Sequence, residues 1–346
     1  MRGTTRHRVL SKSLSRFRID GRIMILAAAR IVSVLIILTL ATKAESRQVN
    51  LAAPAASLSQ IPFYVAQERG FFRDEGLDVN LIVMGAPVAN LALIGQNVDF
   101  SSVPTAALSA MLRGAPLRVI FNAFYRPLVW LYSKAEIRSV KELKGKRVGV
   151  AGIGSGPDHL LRELLRQNGM DPGRDVTILG LGVQANLYTA LSTGNIDASV
   201  FVIPWNFTAA DAGFFELVSF VHQDTVQFQG SIVVRDEFMR TDPQVVEKFV
   251  RATSKGLFYS RANRSGTIAI LVRHLKVDEK TAAKIYDIGK AAMTVDGSVS
   301  ESAQKRALEF VARVQGAKDP GPMDKFFDFS LTRRVSEQLQ AQSWKP

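Results

Sequence analysis

Short apolar runs recur along the chain, and each is followed by a stretch whose apolar residues lie three and four apart. Residues 47–53 (RQVNLAA), 77–83 (LDVNLIV), 98–103 and 117–124 have the composition and alternation of strands. Between them, 61–69, 87–94 and 104–113 carry helical spacing, and Gly70 ends the first of these. The pattern then restarts, with strands expected at 147–151, 176–181 and 196–203 and helices at 157–168 and 185–192. Strands alternating with helices imply βαβ units and parallel sheets. From Pro243 onward the spacing is helical nearly throughout, over 243–261, 266–274, 278–293, 300–314 and 323–340, with Asp278 placed to cap one helix start.

The two α/β stretches also resemble each other. ALIGQNVDFSSVPTAA (92–107) parallels ALSTGNIDASVFVIPWNFTAA (190–210). In each, Asn97-Val98-Asp99 or Asn195-Ile196-Asp197 opens a strand, and Pro104 or Pro204 then opens a helix, where its missing N–H is harmless. The expected fold class is α/β, with two similar lobes and a helical C-terminal segment. Lobe I is expected at 45–130 plus 231–346 and lobe II at 131–230, with the chain crossing between them near 130–133 and 229–233.

Composition narrows the chemistry. The 346 residues include no cysteine, which excludes disulfides, thiolate nucleophiles and Cys-ligated metal centres. Four histidines (His7, His159, His222, His274) leave little for a His-based metal site, and no cofactor is expected. The net charge of +13 suggests nucleic acid until it is located. Residues 1–44 hold nine Lys/Arg against the single acid Asp20, so most of the excess sits in a leader and the nucleic-acid reading loses its support. That leader has a basic start, the apolar run IVSVLIILTL (31–40) and the small exit Thr42-Lys43-Ala44, the parts of a secretory signal. An uncleaved anchor is the alternative, but Arg30 leaves an apolar core of ten residues, short of the roughly 20 needed to span. Export without a cysteine for lipidation implies a soluble protein of a Gram-negative periplasm.

Catalytic motifs are absent. Gly152-Ile153-Gly154-Ser155-Gly156 lies between a strand and a helix, but Pro157 stands where a dinucleotide fingerprint needs its third glycine. No Walker loop, H-E-x-x-H or G-x-S-x-G occurs. His159, just inside a helix, reads as a surface or capping residue, with a ligand hydrogen bond as the alternative. In open α/β sheets ligands bind beyond the carboxyl ends of the strands. Those ends carry Ser57 to Gln60, Gly85-Ala86, Thr105, Asn122 to Tyr125, Gly152 to His159 and Trp205-Asn206. Helix N-termini after Val103 and after Gly156 offer N–H groups and partial positive charge to an anion.

These segments carry a family resemblance. PFYVAQERGFFRDEGLDVNLI (62–82), GQNVDFSSVPTAALSAMLRGAPLRVI (95–120), SVKELKGKRVGVAGIGSG (139–156), NGMDPGRDVTILGLG (168–182) and ALSTGNIDASVFVIPWN (190–206) resemble the nitrate/sulfonate/taurine and thiamine-precursor group of periplasmic solute-binding proteins. The resemblance implies two α/β lobes of the type II periplasmic-binding-protein kind, hinged and closing on a solute, with delivery to an ABC permease in the inner membrane. A eukaryotic branch of this superfamily makes the thiamine pyrimidine with a Cys-rich iron motif. Without cysteine that activity does not carry over, and no enzyme is expected.

The expected solute is a small organic anion, sulfonate- or carboxylate-like. Its charged end is placed on Ser59, Gln60, Thr105, Ser155 and the N–H groups of Gly154 and Gly156, with Asn122 nearby. Its body is placed on Phe63, Tyr125 or Trp205, whose rings suit flat solutes. Arg126 either pairs with the anion or faces solvent. A thiamine-type pyrimidine is the alternative ligand, stacked on Trp205 with Asn206 or Asp158 holding its amines. A ligand sensor for a membrane receptor is the alternative role. The permease is expected to meet both lobes at the cleft mouth, and the protein to be a monomer.

Overall fold

A computed structural model of the chain describes residues 46–222, 225–317 and 319–346. The leader read as a signal lies outside the described residues. Strands β1 (Arg47–Ala53), β2 (Leu77–Val83), β3 (Phe100–Ser101), β4 (Leu117–Phe124) and β10 (Gln229–Arg235) form one five-stranded sheet in the order β2-β1-β3-β10-β4. Strands β5 (Val129–Ser133), β6 (Arg147–Val150), β7 (Thr177–Gly180), β8 (Ala198–Val202) and β9 (Phe215–Ser219) form a second, ordered β7-β6-β8-β5-β9. The two orders match position for position. In each sheet only the fourth strand of the order is antiparallel to its neighbours: β10 in the first and β5 in the second.

Each antiparallel strand is the one the chain enters on crossing over. After β4 the chain passes directly into β5 of the second sheet, and after β9 it returns through residues 220–228 into β10 of the first. The strands are buried as their apolar sequences demand; Val119 to Phe124 in β4 and Val129 to Ser133 in β5 are shielded from solvent throughout. The repeated Asn-x-Asp element has the same job in both sheets. The Asp99 carboxylate accepts from the Asn50 N–H of β1 at 2.8 Å, and the Asp197 carboxylate from the Arg147 N–H of β6 at 2.9 Å. Each aspartate thereby pins its own strand start to the start of the neighbouring strand.

The C-terminal helices close the first sheet. Phe249 of helix Pro243–Ala262 stacks on Phe100 of β3 (centroids 4.1 Å apart) and on Phe72 (5.2 Å), which seats that helix on the sheet face. Asp278 caps helix Glu279–Ala292 as the sequence suggests, its side chain accepting from the Thr281 N–H at 2.9 Å. The helix expected over 323–340 instead begins at Ser330. Its first residues are drawn into extended pairing with β4: the Val119 N–H donates to the Phe326 carbonyl (2.9 Å) and the Val119 carbonyl accepts from the Asp328 N–H (3.0 Å). That pairing covers a sheet edge whose backbone groups would otherwise be unpaired. Among the described residues no helix is long and apolar enough to cross a membrane.

Candidate functional site

A cavity lies where the carboxyl ends of the parallel strands of both sheets face each other. It encloses about 790 Å³ of atom-free space, part of it open to solvent. The first sheet's side contributes Ser57, Leu58 and Ser59 after β1 and Ser102, Pro104 and Thr105 after β3. The second contributes Ser155, Gly156 and Pro157 after β6, and Gln184, Val202 and Ile203. The returning crossover supplies Gln227, Phe228, Gln229 and Gly230. Among the described residues, none that lines the cavity is Asp, Glu, Lys, Arg or His. Its chemistry is therefore that of hydroxyls, carboxamides and backbone, set in apolar walls.

Two helices aim their N-termini at this space. Helix Pro104–Met111 presents Pro104 and Thr105, and helix Gly156–Gln167 presents Gly156 and Pro157. Pro104 and Pro157 have no N–H and the Asp158 N–H is held by Ser155 Oγ (3.4 Å), so the two ends offer the N–H of Thr105 and of Gly156 together with the positive ends of the helix dipoles. The segments that follow the two sheets meet tightly here. A Cβ on Gly156 would lie 2.6 Å from Gln227 Nε2 and 3.1 Å from Thr105 Oγ1, so a larger residue here would have to displace the Gln227 side chain. Gly230, at φ +62°, brings β10 equally close to the Ser59 carbonyl, where a Cβ would stand 2.1 Å away. The hydroxyls are held from behind by the fully buried Gln60, whose Nε2 donates to Ser59 Oγ (3.0 Å) and whose Oε1 accepts from Ser102 Oγ (2.9 Å).

Of the residues expected at the site, Ser59, Thr105, Ser155 and Gly156 line the cavity and Gln60 supports it. The others stand elsewhere, each for a visible reason. Phe63 is fully buried in the core against Phe249. Asn122 is consumed inside the first sheet, donating to the Phe124 carbonyl and accepting from Ser231 Oγ. Tyr125 borders a separate depression with Thr294 and Asp296, and the exposed Arg126 lies over its ring. The Gly154 N–H is taken by the Asp158 carboxylate (2.8 Å), and that buried carboxylate is paired with Arg162 (2.9 Å), so neither is open to a solute. Trp205 packs on Tyr188, and Asn206 is buried beside it; neither lines the cavity.

His159, expected at the surface, is buried. Its ring sits against Phe310 and Gln315 of helix Glu301–Gln315, and burial lowers its pKa to about 4, with Asp158 opposing and Arg162 and Arg166 reinforcing the shift. Polar lining residues that the sequence did not single out are Ser102, Gln184 and the crossover residues Gln227 and Gln229, whereas Ser57 belongs to a strand-end segment it did. The glycine-flanked QGS at 229–231 is their one sequence signal.

Two α/β sheets of equal strand order, joined by two crossings around an uncharged cavity, are the architecture of the periplasmic-binding-protein fold. The chain belongs to the NMT1/THI5-like family, whose model matches residues 58–265. It is similar to the Saccharomyces cerevisiae 4-amino-5-hydroxymethyl-2-methylpyrimidine phosphate synthase THI13, 25% identical over 221 residues covering 59% of this chain and 64% of that one. The match thus spans less than two thirds of that relative. A Brucella abortus protein named only as a binding protein is 26% identical over 251 residues, 68% of this chain and 76% of that one. Among solved structures, the Synechocystis periplasmic nitrate-binding protein NrtA superposes with a TM-score of 0.69 at 15% identity, covering 86% of this chain and 90% of that one. The Escherichia coli aliphatic sulphonate binding protein SsuA gives 0.61 at 18% identity, covering 81% and 91%.

Proposed function

We propose that this chain is the solute-binding component of an ABC importer, exported by its leader to the periplasm, and that it holds a small organic anion in the cavity between the two sheets. The observation that carries this reading is the pair of helix N-termini, at Thr105 and Gly156, opening into one uncharged cavity. Donors without acidic or basic side chains suit an anion that must be released again, because no buried ion pair has to be broken. The names of NrtA and SsuA favour the same class of solute. The lobes follow the sheets, and closure about the two crossings would give the solute contacts from both. Ligand contacts available only in one arrangement shift the population toward it. The permease is the expected partner, and a monomer the expected state.

The yeast relative supports one second reading, a thiamine-type pyrimidine as ligand, with Gln184 and Gln227 as its hydrogen-bonding groups. Neither reading includes conversion of the bound solute; both rest on the hydrogen-bonding groups of the cavity. A thermal-shift screen of purified protein with ethanesulfonate, taurine, nitrate, benzoate and aminopyrimidines tests the choice. Stabilisation by anions, with compaction in solution scattering, supports the proposal; stabilisation by pyrimidines alone selects the second reading. A permease and ATPase encoded beside the chain favour transport, and a receptor kinase there favours sensing.

A further inference from the structure

Gln227 is one of two glutamines, with Gln229, that the returning crossover brings to the cavity. It lies on the crossover that returns the chain to β10, and its backbone N–H donates to the Tyr125 carbonyl at 3.1 Å, tying the outgoing crossover to the returning one. Its side chain is 97% buried and lines the cavity. Oε1 is occupied, accepting from Gln229 Nε2 at 3.1 Å, while Nε2 has no partner. That nitrogen stands against Gly156, the first residue of helix Gly156–Gln167, which Thr105 Oγ1 also approaches. A buried N–H without an acceptor disfavours the arrangement that holds it, unless something outside the chain accepts from it.

We infer that Gln227 determines solute specificity: its Nε2 donates to an acceptor oxygen of the solute at the point where the two helix N-termini converge. An amide nitrogen has only protons to offer, so the solute atom seated there is a sulfonate, carboxylate or carbonyl oxygen and not an ammonium or amidine. Because Gln227 is carried on the crossover itself, the same contact ties occupancy of the cavity to the geometry of the hinge. This inference rests on the solute-binding reading and adds to it the residue that reads the solute.

The test is titration calorimetry of the purified protein with ethanesulfonate, benzoate, nitrate and propylammonium. It uses the wild type, Gln227→Met, which keeps the length and removes the donor, and Gln227→Glu, which keeps the shape and replaces the donor by an acceptor. The wild type should bind at least one of the three anions. Both variants should weaken that binding about ten- to a hundredfold, the range for a lost hydrogen bond to a charged group. The melting temperature of unliganded Gln227→Met should stay within a few degrees of the wild type, because removing the orphaned buried donor offsets the loss of the acceptor that Gln229 Nε2 uses. An unchanged anion affinity in Gln227→Met overturns the inference and leaves the solute-binding reading standing. So does a melting temperature several degrees below wild type, which would mark a structural residue, and so does a preference for propylammonium. Wild type that binds none of the three anions removes the anion reading, and this inference falls with it.

Discussion

His159 of helix Gly156–Gln167 and Gln315 of helix Glu301–Gln315 meet Nε2 to Nε2 at 3.3 Å, in a contact with one workable polarity. The amide nitrogen of Gln315 can only donate, so His159 must accept through Nε2 and stay neutral. Phe310 covers the ring, Gln315 Nε2 also reaches Ser109 Oγ, and Arg313 pairs with Glu163 one turn further along the same helix face.

Acid should therefore open this contact. Burial holds His159 at about 4 against an ordinary 6.5, so the unfolded chain takes up a proton before the folded one does. The charged groups around the ring are Asp158, paired with Arg162, together with Arg166 and the Glu163–Arg313 pair. The stability that His159 contributes is intact above about pH 6.5 and declines as pH falls toward 4, by on the order of 3 kcal/mol across that window. Urea unfolding at pH 7 and pH 4.5 should show the loss in wild type and a smaller one in His159→Leu. Equal losses would show that other groups carry the acid sensitivity.

The two equivalent aspartates should differ in weight. Asp99 accepts from one backbone N–H, whereas Asp197 accepts from the Arg147 N–H and pairs with the Arg147 and Lys134 side chains. Burial alone would raise the Asp197 carboxyl, but these partners hold it well below the usual carboxylate range. Asp197→Ala is expected to cost about 2–3 kcal/mol and Asp99→Ala about 1 kcal/mol. The Asp197 contribution should be present above about pH 4 and lost only as pH falls below that. Denaturation midpoints of the two variants check the order.

Gly230→Ala should damage both fold and site. The residue sits at φ +62°, and its Cβ would stand 2.1 Å from the Ser59 carbonyl. The cost should be about 3 kcal/mol or more, since neither backbone can yield without breaking β10 or displacing the Ser59 loop. Solute affinity, read by calorimetry, should fall with it.

Trp205→Ala should separate stability from binding. The ring packs on Tyr188, 6.0 Å between centroids, and does not line the cavity. Loss of about 2 kcal/mol in stability with solute affinity within about twofold of wild type is the expected result. A tenfold loss of affinity at unchanged stability would return Trp205 to the site.

Much of the architecture is legible locally. The strands at 47–53, 77–83 and 117–124 coincide with their observed bounds because a short apolar run, alternating in 77–83 and buried nearly throughout in 117–124, is written in the residues themselves. The paired Asn-x-Asp segments announce the duplicated sheets, and Asp278 caps its helix as expected. Strand β5 was less legible, being read only as part of a crossing, since nothing local says which sheet a buried VWLYS joins. The start of the last helix was misplaced because residues 326–328 pair with β4 from over 200 positions away.

Residue type and strand position place Ser59, Thr105, Ser155 and Gly156 on loops at the strand ends, and these four do line the cavity, since such loops follow from βα topology. The sequence by itself determined that two like α/β units exist, that cysteine chemistry is excluded, and that polar loops crowd the strand ends. Only the tertiary structure decided that Phe63 belongs to the core, that Asp158 is spent on Arg162, and that Gln227 stands beside Gly156 with its amide nitrogen unpartnered. A side chain's hydrogen-bond partners are set by groups far away in the chain, so which polar residues are already satisfied, and which are left for a solute, is settled by packing and not by pattern.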